Sequence, residues 1–380
     1  MRILYFTQDY TPHDYRFLSS LAKTGHEIYY LRLERRNAQS EDRPLPSQVH
    51  QIQWRGGKKP FQWRDAPFLL IDLRRVLHWI QPDILHAGPV QSVAFLAALS
   101  GFQPLVTMSW GSDMLVDADR MQKRTHFTLK RTSIFLGDCL AVRNKAKEYG
   151  FPVERTVLFP WGVNLEQFSP SSNPGRRAEM SWGEDTFVLL SVRSWETLYG
   201  VDVLVRGFAR AAEIAPQLRL FLLADGSQSG KLRQILAQHD LLDRVSFPGR
   251  VGQADLPSFY QASDLYISAS HSDGSSVSLM EALACGLPAL VSDIPGNREW
   301  ITPGGEGWLF PDGDDCALAD CILEALRQRE RLDVMGKTAR ALAEQRADWK
   351  INFQTMLNGY AQALELHQIK PPVKRGNFIF

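Results

Sequence analysis

The stretch His271-Ser-Asp-Gly-Ser-Ser-Val-Ser-Leu-Met-Glu-Ala-Leu-Ala-Cys-Gly286 decides how this chain reads. It follows Asp264-Leu-Tyr-Ile-Ser-Ala-Ser270, an apolar run with the character of a buried strand. The strand breaks at Asp273-Gly274, and a helix is predicted from about Ser276 to Cys285, closed by Gly286 and Pro288. Asp273 ends the loop, and Glu281 falls about a turn and a half into the helix. Between the two acids, Gly274, Ser275, Ser276 and Val277 carry the free N–H groups of a helix N-terminus, where an anion is favoured. Strand, glycine turn, helix and two acids outline a site for phosphate and hydroxyl groups at the carboxyl edge of a parallel sheet. An Asp-Gly turn that caps a helix is also ordinary structure, and the stretch alone leaves both readings open.

Outward from it, strand-like and helix-like segments alternate along the whole chain. Strands are predicted at Phe187–Arg193, Leu218–Ala224, Val245–Pro248, Ala289–Ser292 and Trp308–Phe310. Helices are predicted at Val201–Ile214, Lys231–Gln238, Ala317–Arg327 and Val334–Glu344. The first half repeats the pattern. Its strands are Arg2–Thr7, His26–Leu33, Asp83–Ala87, Leu105–Ser109, Cys139–Arg143 and Thr156–Pro160, and its helices are Tyr15–Lys23, Phe68–Ile80 and Val90–Leu99. Such alternation predicts βαβ units around parallel sheets. The segment Phe168-Ser-Pro-Ser-Ser-Asn-Pro-Gly175 interrupts it with a linker composition. The expected domains are therefore residues 1–168 and 186–346, joined by a linker over 169–185, with an amphipathic helix within 347–380.

At 380 residues the chain exceeds a single ordinary core. It is 44% hydrophobic and 22% charged, and no apolar run reaches the roughly 18 residues that span a bilayer. Cys139, Cys285, Cys316 and Cys321 have neither zinc spacing nor the density of a disulfide scaffold, which predicts reduced thiols and a cytoplasmic location. Residues 1–165 hold 22 Lys+Arg against 15 Asp+Glu, and the remainder 21 against 27. The basic first half, with Arg35, Arg36, Lys58 and Lys59, suits weak contact with an anionic membrane or a phosphate-bearing acceptor, or is simply a solvated surface. No Walker loop, dinucleotide fingerprint or hydrolase elbow occurs, and nothing points to nucleic acid. No His, Cys or carboxylate cluster calls for a metal. Asp117-Ala-Asp119 has the shape of a metal–diphosphate motif but reads as a solvated helix start.

An acid, seven residues, a second acid and then Ala-Leu-Ala-Cys-Gly-Leu-Pro resembles the donor motif of the family 4 retaining glycosyltransferases, with Asp273 in place of the usual first Glu. The resemblance implies the GT-B fold: α/β, with two Rossmann-like doubly wound domains facing across a cleft and a last helix crossing back to the first domain. Pro160-Trp-Gly-Val-Asn164 resembles the segment that ends the first domain in that family. Ser191-Val-Arg193 takes the place of the family's arginine strand end, where a guanidinium can meet a diphosphate with forked donors. The family's following lysine is replaced by Tyr199, and Lys231 is a candidate to supply the charge. Pro248-Gly-Arg-Val251 is similar to the turn beside the nucleobase, which implicates Arg250 and Val251.

By the same resemblance, the donor is a nucleotide-diphosphate sugar, with UDP favoured, and no cofactor is needed. Glu281 would take ribose hydroxyls, Asp273 the sugar hydroxyls, and Arg193 with the N–H groups of residues 274–277 the diphosphate. The acceptor would be a glycan, a lipid-linked group or a small molecule. Its candidate contacts are His13 and Asp14 in the first loop, His86 at a strand end, and Trp110 and Asp113 in Ser109-Trp-Gly-Ser-Asp113. Trp110 is either an acceptor wall or core. Asp113 either holds a hydroxyl or caps the segment after it, and His86 has a buried structural reading beside the functional one. Two rivals share the architecture: a sugar-nucleotide epimerase and a non-catalytic sugar-nucleotide-binding protein.

Overall fold

The computed structural model describes residues 1–35, 41, 43–171 and 175–368. The chain divides into two compact units, one of Met1–Phe159 with the C-terminal segment from Phe353, the other Pro160–Asn352. Arg36, the last part of the C-terminal segment and part of the expected linker lie outside the described residues.

The first unit is built on seven parallel strands, β1 Arg2–Thr7, β2 Glu27–Arg32, β3 Val49–Gln51, β4 Ile84–Ala87, β5 Leu105–Met108, β6 Ile134–Gly137 and β7 Thr156–Leu158. Their order is β3-β2-β1-β4-β5-β6-β7. The second unit has six, β8 Phe187–Ser191, β9 Leu218–Leu223, β10 Val245–Gly249, β11 Leu265–Ser268, β12 Ala289–Ser292 and β13 Gly307–Phe310, in the order β10-β9-β8-β11-β12-β13. Strands β4, β5, β6, β8, β11 and β12 are buried at every position, as strands covered by helices on both faces must be. Each order reverses once, between β1 and β4 and between β8 and β11. Open α/β sheets bind ligands at such a point, outside the carboxyl ends of the strands. Helices fill the crossovers; Val201–Ile214, for example, buries Val201, Leu204, Val205, Phe208 and Ala212 on one side.

Three local expectations are corrected. Cys139–Arg143 is a helix start, not a strand: Cys139 is the extended cap of helix Leu140–Glu148, which buries Val142 and Ala146 at helical spacing. The strand is instead the short run Ile134–Gly137. The edge strand Val49–Gln51 had no clear signal. The expected linker contains helix Gly175–Glu179, whose Arg177 donates to the Ala262 carbonyl at 2.7 Å and to Asp264 at 2.8 Å. Pro160–Phe168 also goes with the second unit, because Val163 bridges to Asp348 and Arg340 donates to the Phe168 carbonyl at 2.9 Å.

Candidate functional site

The reversal in the second sheet brings two loops together. Arg193 follows β8 by two residues, and Asp273 lies on the loop after β11, which pairs β8 in register at Leu189–Leu265 and Leu190–Tyr266. Arg193 Nη2 meets Asp273 Oδ2 at 2.8 Å. Its Nη1 donates to Ser276 Oγ at 3.0 Å and to Ser278 Oγ at 3.2 Å. The guanidinium carbon lies 4.2 Å from the centre of the Tyr199 ring. Tyr199, which stands where the family has lysine, thus supplies a face against which the arginine lies, an attractive geometry for a cation. Burial disfavours the charge on Arg193, but Asp273 and the tyrosines around it outweigh that and hold its pKa above the ordinary value.

Ser276 stands at the start of helix Val277–Ala284 without a side-chain cap bond, and Ser276 and Ser278 are both almost enclosed. Tyr266 adds a 2.7 Å hydrogen bond with Ser278 Oγ. One turn on, the buried Glu281 accepts from Tyr260 OH at 2.8 Å. Burial first, then the Glu281 charge, raises the Tyr260 phenol and pushes the Cys285 thiol up to about 12, so neither loses its proton near neutrality. Gly274 and Ser275 are buried beside them, with Trp300 Nε1 donating to Ser275 Oγ at 3.4 Å. Gly296 lies under this loop: a Cβ there would meet the Asp273 carbonyl at 2.5 Å and crowd that of Gly274. The structure thus joins Arg193, Asp273, Ser276 and the start of the 277–284 helix in one polar cluster, with Glu281 a turn away. Ser278, Tyr260, Tyr266 and Gly296 were not singled out by sequence. The only sequence signal for Tyr260 or Gly296 would have been their types, a tyrosine in a helix and a glycine after a proline.

The other donor candidates stand apart from that cluster. Lys231 bonds Asp202 at 2.8 Å. Burial works against ionisation of Asp202, but Lys231 and Arg206 hold it down at about 2. Arg206 continues to Asp315 at 2.7 Å, so Lys231 sits in a network that ties neighbouring helices together. Arg250 is exposed and Val251 half-buried on the loop after β10, two strands removed from β8 in the sheet order.

In the first unit, the candidates cluster at the β1–β4 reversal, but several are structural. Asp14 is fully enclosed in a capping box with Thr11, accepting from Thr11 N at 2.9 Å and from Tyr5 OH at 3.1 Å. Burial pushes it up to about 7 against those hydrogen bonds. Asp113 accepts from Val90 N at 2.9 Å, Ser109 Oγ at 2.7 Å, Trp110 N at 2.9 Å and Met114 N at 3.0 Å. It lies inside the short helix Ser112–Leu115, which Gly111 precedes, so it ties the loop before that helix rather than capping the segment after it. His86 is buried, shares a 2.7 Å hydrogen bond with Tyr360 OH, and is driven down to about 3 by burial. His13 and Trp110 are half-buried, with ring centres 6.2 Å apart and edge to face. Asp119 is tied to Lys145 at 2.7 Å and to Tyr149 at 2.9 Å, as a solvated helix start would be. Among the described residues, no group of three or more His, Cys, Asp or Glu is placed to hold a metal ion, and no helix is long and apolar enough to cross a membrane.

Two parallel, doubly wound sheets in one chain agree with the expected GT-B fold class. Residues 175–342 match the family model described as Glycosyl transferases group 1, and residues 2–136 match Glycosyl transferase 4-like. The D-inositol 3-phosphate glycosyltransferase of Geodermatophilus obscurus is 29% identical over 328 residues, 83% of this chain and 66% of that protein. The chain thus spans slightly under two thirds of that relative's length. The crystal structure of Anabaena HepE in complex with UDP superposes with a TM-score of 0.77 at 18% identity, covering 95% of this chain and all of that one. Sucrose-phosphate synthase from Thermosynechococcus elongatus superposes with a TM-score of 0.78, also at 18% identity, over 96% of this chain and 100% of that one. Both family models describe glycosyltransferases, and together they match most of the chain.

Proposed function

We propose that the chain is a retaining glycosyltransferase that moves a sugar from a nucleoside-diphosphate donor, with a UDP-sugar favoured, to a glycan, lipid-linked or small-molecule acceptor. The observation that carries the reading is the meeting of Arg193, Asp273 and the 277–284 helix start at the carboxyl ends of β8 and β11. The HepE structures solved with UDP and with UDP-glucose support the choice of nucleotide. Glu281, held by Tyr260, binds the ribose hydroxyls, and Asp273 binds hydroxyls of the sugar. Arg193 and the N–H groups of residues 274–277 take the diphosphate and stabilise the charge that grows on it as it leaves. The bond from the anomeric carbon to the phosphate oxygen breaks while a bond to the acceptor oxygen forms on the same face. The acceptor proton passes to the departing phosphate, so no protein nucleophile and no metal are required. The basic surface of the first unit, with Lys58 and Lys59, makes weak peripheral contact with an anionic membrane.

A thermal-shift screen of nucleoside diphosphates and nucleotide sugars tests this. A true donor at a hundred times its Kd should stabilise the protein by about 2.7 kcal/mol. Slow donor hydrolysis should be abolished by Glu281→Ala. No shift with any nucleotide would overturn the reading, and a new sugar nucleotide formed without acceptor would replace it with epimerisation.

A further inference from the structure

Helix Ala66–Ile80 of the first unit buries Leu69, Leu73, Val76, Leu77 and Ile80. At 3.6 residues per turn, Phe68, Ile71, Arg75 and Trp79 fall on the opposite side in one stripe about 16 Å long. Phe68 is 59% exposed, Ile71 51% and Trp79 71%. Single exposed apolar residues are normal, but three large ones aligned on one helix face mark a surface that meets something. At its start the stripe runs into a cavity of about 290 Å³, because Phe68 also lines that cavity. The cavity has apolar walls from Leu33, Phe61 and Leu69 and is bordered by Arg55, Lys58 and Lys59.

The charges around the stripe select the occupant. Lys59 pairs with Asp65 at 3.0 Å, and Arg75 reaches Asp72 only at 3.8 Å. No carboxylate pairs with the Arg55 or Lys58 side chain among the described residues. Four cations therefore face two carboxylates around an apolar strip. Three side chains fall far short of the about 800 Å² per partner that a stable dimer needs. Tryptophan and phenylalanine flanked by Lys and Arg instead match the boundary between lipid headgroups and acyl chains.

We propose that the outer face of helix Ala66–Ile80, with its adjoining cation-rimmed cavity, docks the protein on an anionic lipid bilayer by inserting Phe68, Ile71 and Trp79. This deepens the peripheral contact proposed above and is independent of the donor chemistry. It differs from a purely electrostatic contact in that part of the binding survives high salt, where charge attraction is screened.

Sedimentation of the full chain with vesicles tests it, using phosphatidylcholine alone and equal parts phosphatidylcholine and phosphatidylglycerol. Binding to the mixed vesicles is expected, with a residue that resists salt. Phe68→Ser and Trp79→Ser should each weaken it roughly tenfold, the worth of one buried apolar side chain. Both residues are more than half exposed, so thermal melting and donor hydrolysis should stay as in the wild type. Binding that both variants retain, and that salt removes, would overturn the inference while leaving the basic-surface contact standing. Binding to neither vesicle would overturn both. A self-association that Trp79→Ser abolishes, with vesicle binding unchanged, would assign the face to a second copy and overturn the inference.

Discussion

The Arg193 guanidinium and the Asp273 carboxylate, far apart in the chain, form a 2.8 Å ion pair where β8 and β11 end. Both were expected to face the donor, yet here each neutralises the other. A diphosphate that uses Arg193 must therefore compete with Asp273. Asp273→Asn keeps the shape and removes the charge, and it should tighten nucleoside diphosphate binding by about tenfold, ~1.4 kcal/mol. The same variant should slow transfer, since the sugar loses its carboxylate. Calorimetric titration with the diphosphate decides the point, and an unchanged affinity would mean that phosphate never reaches Arg193. Arg193→Ala should lower kcat roughly 10²–10³-fold, as loss of a preorganised donor does.

Glu281 and Tyr260 act as a pair, with the phenol donating to the buried carboxylate at 2.8 Å. Tyr260→Phe removes a hydrogen bond to a charged group, which is worth about 1.5–3 kcal/mol. The melting temperature should fall accordingly. Binding of the diphosphate and of the full donor should weaken by the same factor, because the proposed partner of Glu281 is the ribose common to both. A loss confined to the nucleotide sugar would move Glu281 to the sugar.

In the proposed reaction, charge on the leaving diphosphate is met by Arg193 and helix-terminal N–H groups, so turnover should persist in excess EDTA. Activity lost to chelation and restored by Mg²⁺ or Mn²⁺ would contradict this.

Gly296 sets the position of the 273–274 loop, because a Cβ there would push against the Asp273 and Gly274 carbonyls. Gly296→Ala should shift the loop by a few tenths of an ångström or more and lower kcat/KM, by up to roughly 10²-fold for a 1 Å displacement. Initial rates with saturating acceptor test it. Unchanged kinetics would show that the reaction tolerates the shift.

Two buried groups give the first unit opposite responses to acid. His86 is held down at about 3, below its unfolded value of 6.5, so its contribution is present above 6.5 and is lost as pH falls toward 3. Asp14 is raised to about 7 from 3.8, so its contribution is full below 3.8 and is lost as pH rises through 7. Between pH 6.5 and 5 the two slopes, each at most about 1.4 kcal/mol per pH unit, oppose one another. Asp14→Asn should expose the histidine and make the melting temperature fall with acid. His86→Gln should make it rise. Parallel pH profiles for wild type and both variants would contradict the assignment.

Local pattern alone determined much of this protein. The alternation of apolar runs and amphipathic stretches carried the two α/β sheets, and helix Val201–Ile214 and strand Ala289–Ser292 have the predicted limits. The Asp273–Glu281 spacing located the loop and helix because both belong to one short segment, whose geometry its own residues dictate. Where the local signal was weak it failed, as at Cys139–Arg143, since a run of five mixed residues suits either period. What only the tertiary structure decided is pairing across the chain. Strand order sets β8 beside β11, and with it Arg193 against Asp273, Ser276 and Ser278. It also puts Tyr199 beneath the guanidinium, Tyr260 against Glu281, and Lys231 on Asp202. Burial separates Asp14, His86 and Asp113 from the exposed polar residues they resemble in sequence. A side chain's charge, partners and access to a ligand depend on neighbours that residue periodicity does not encode.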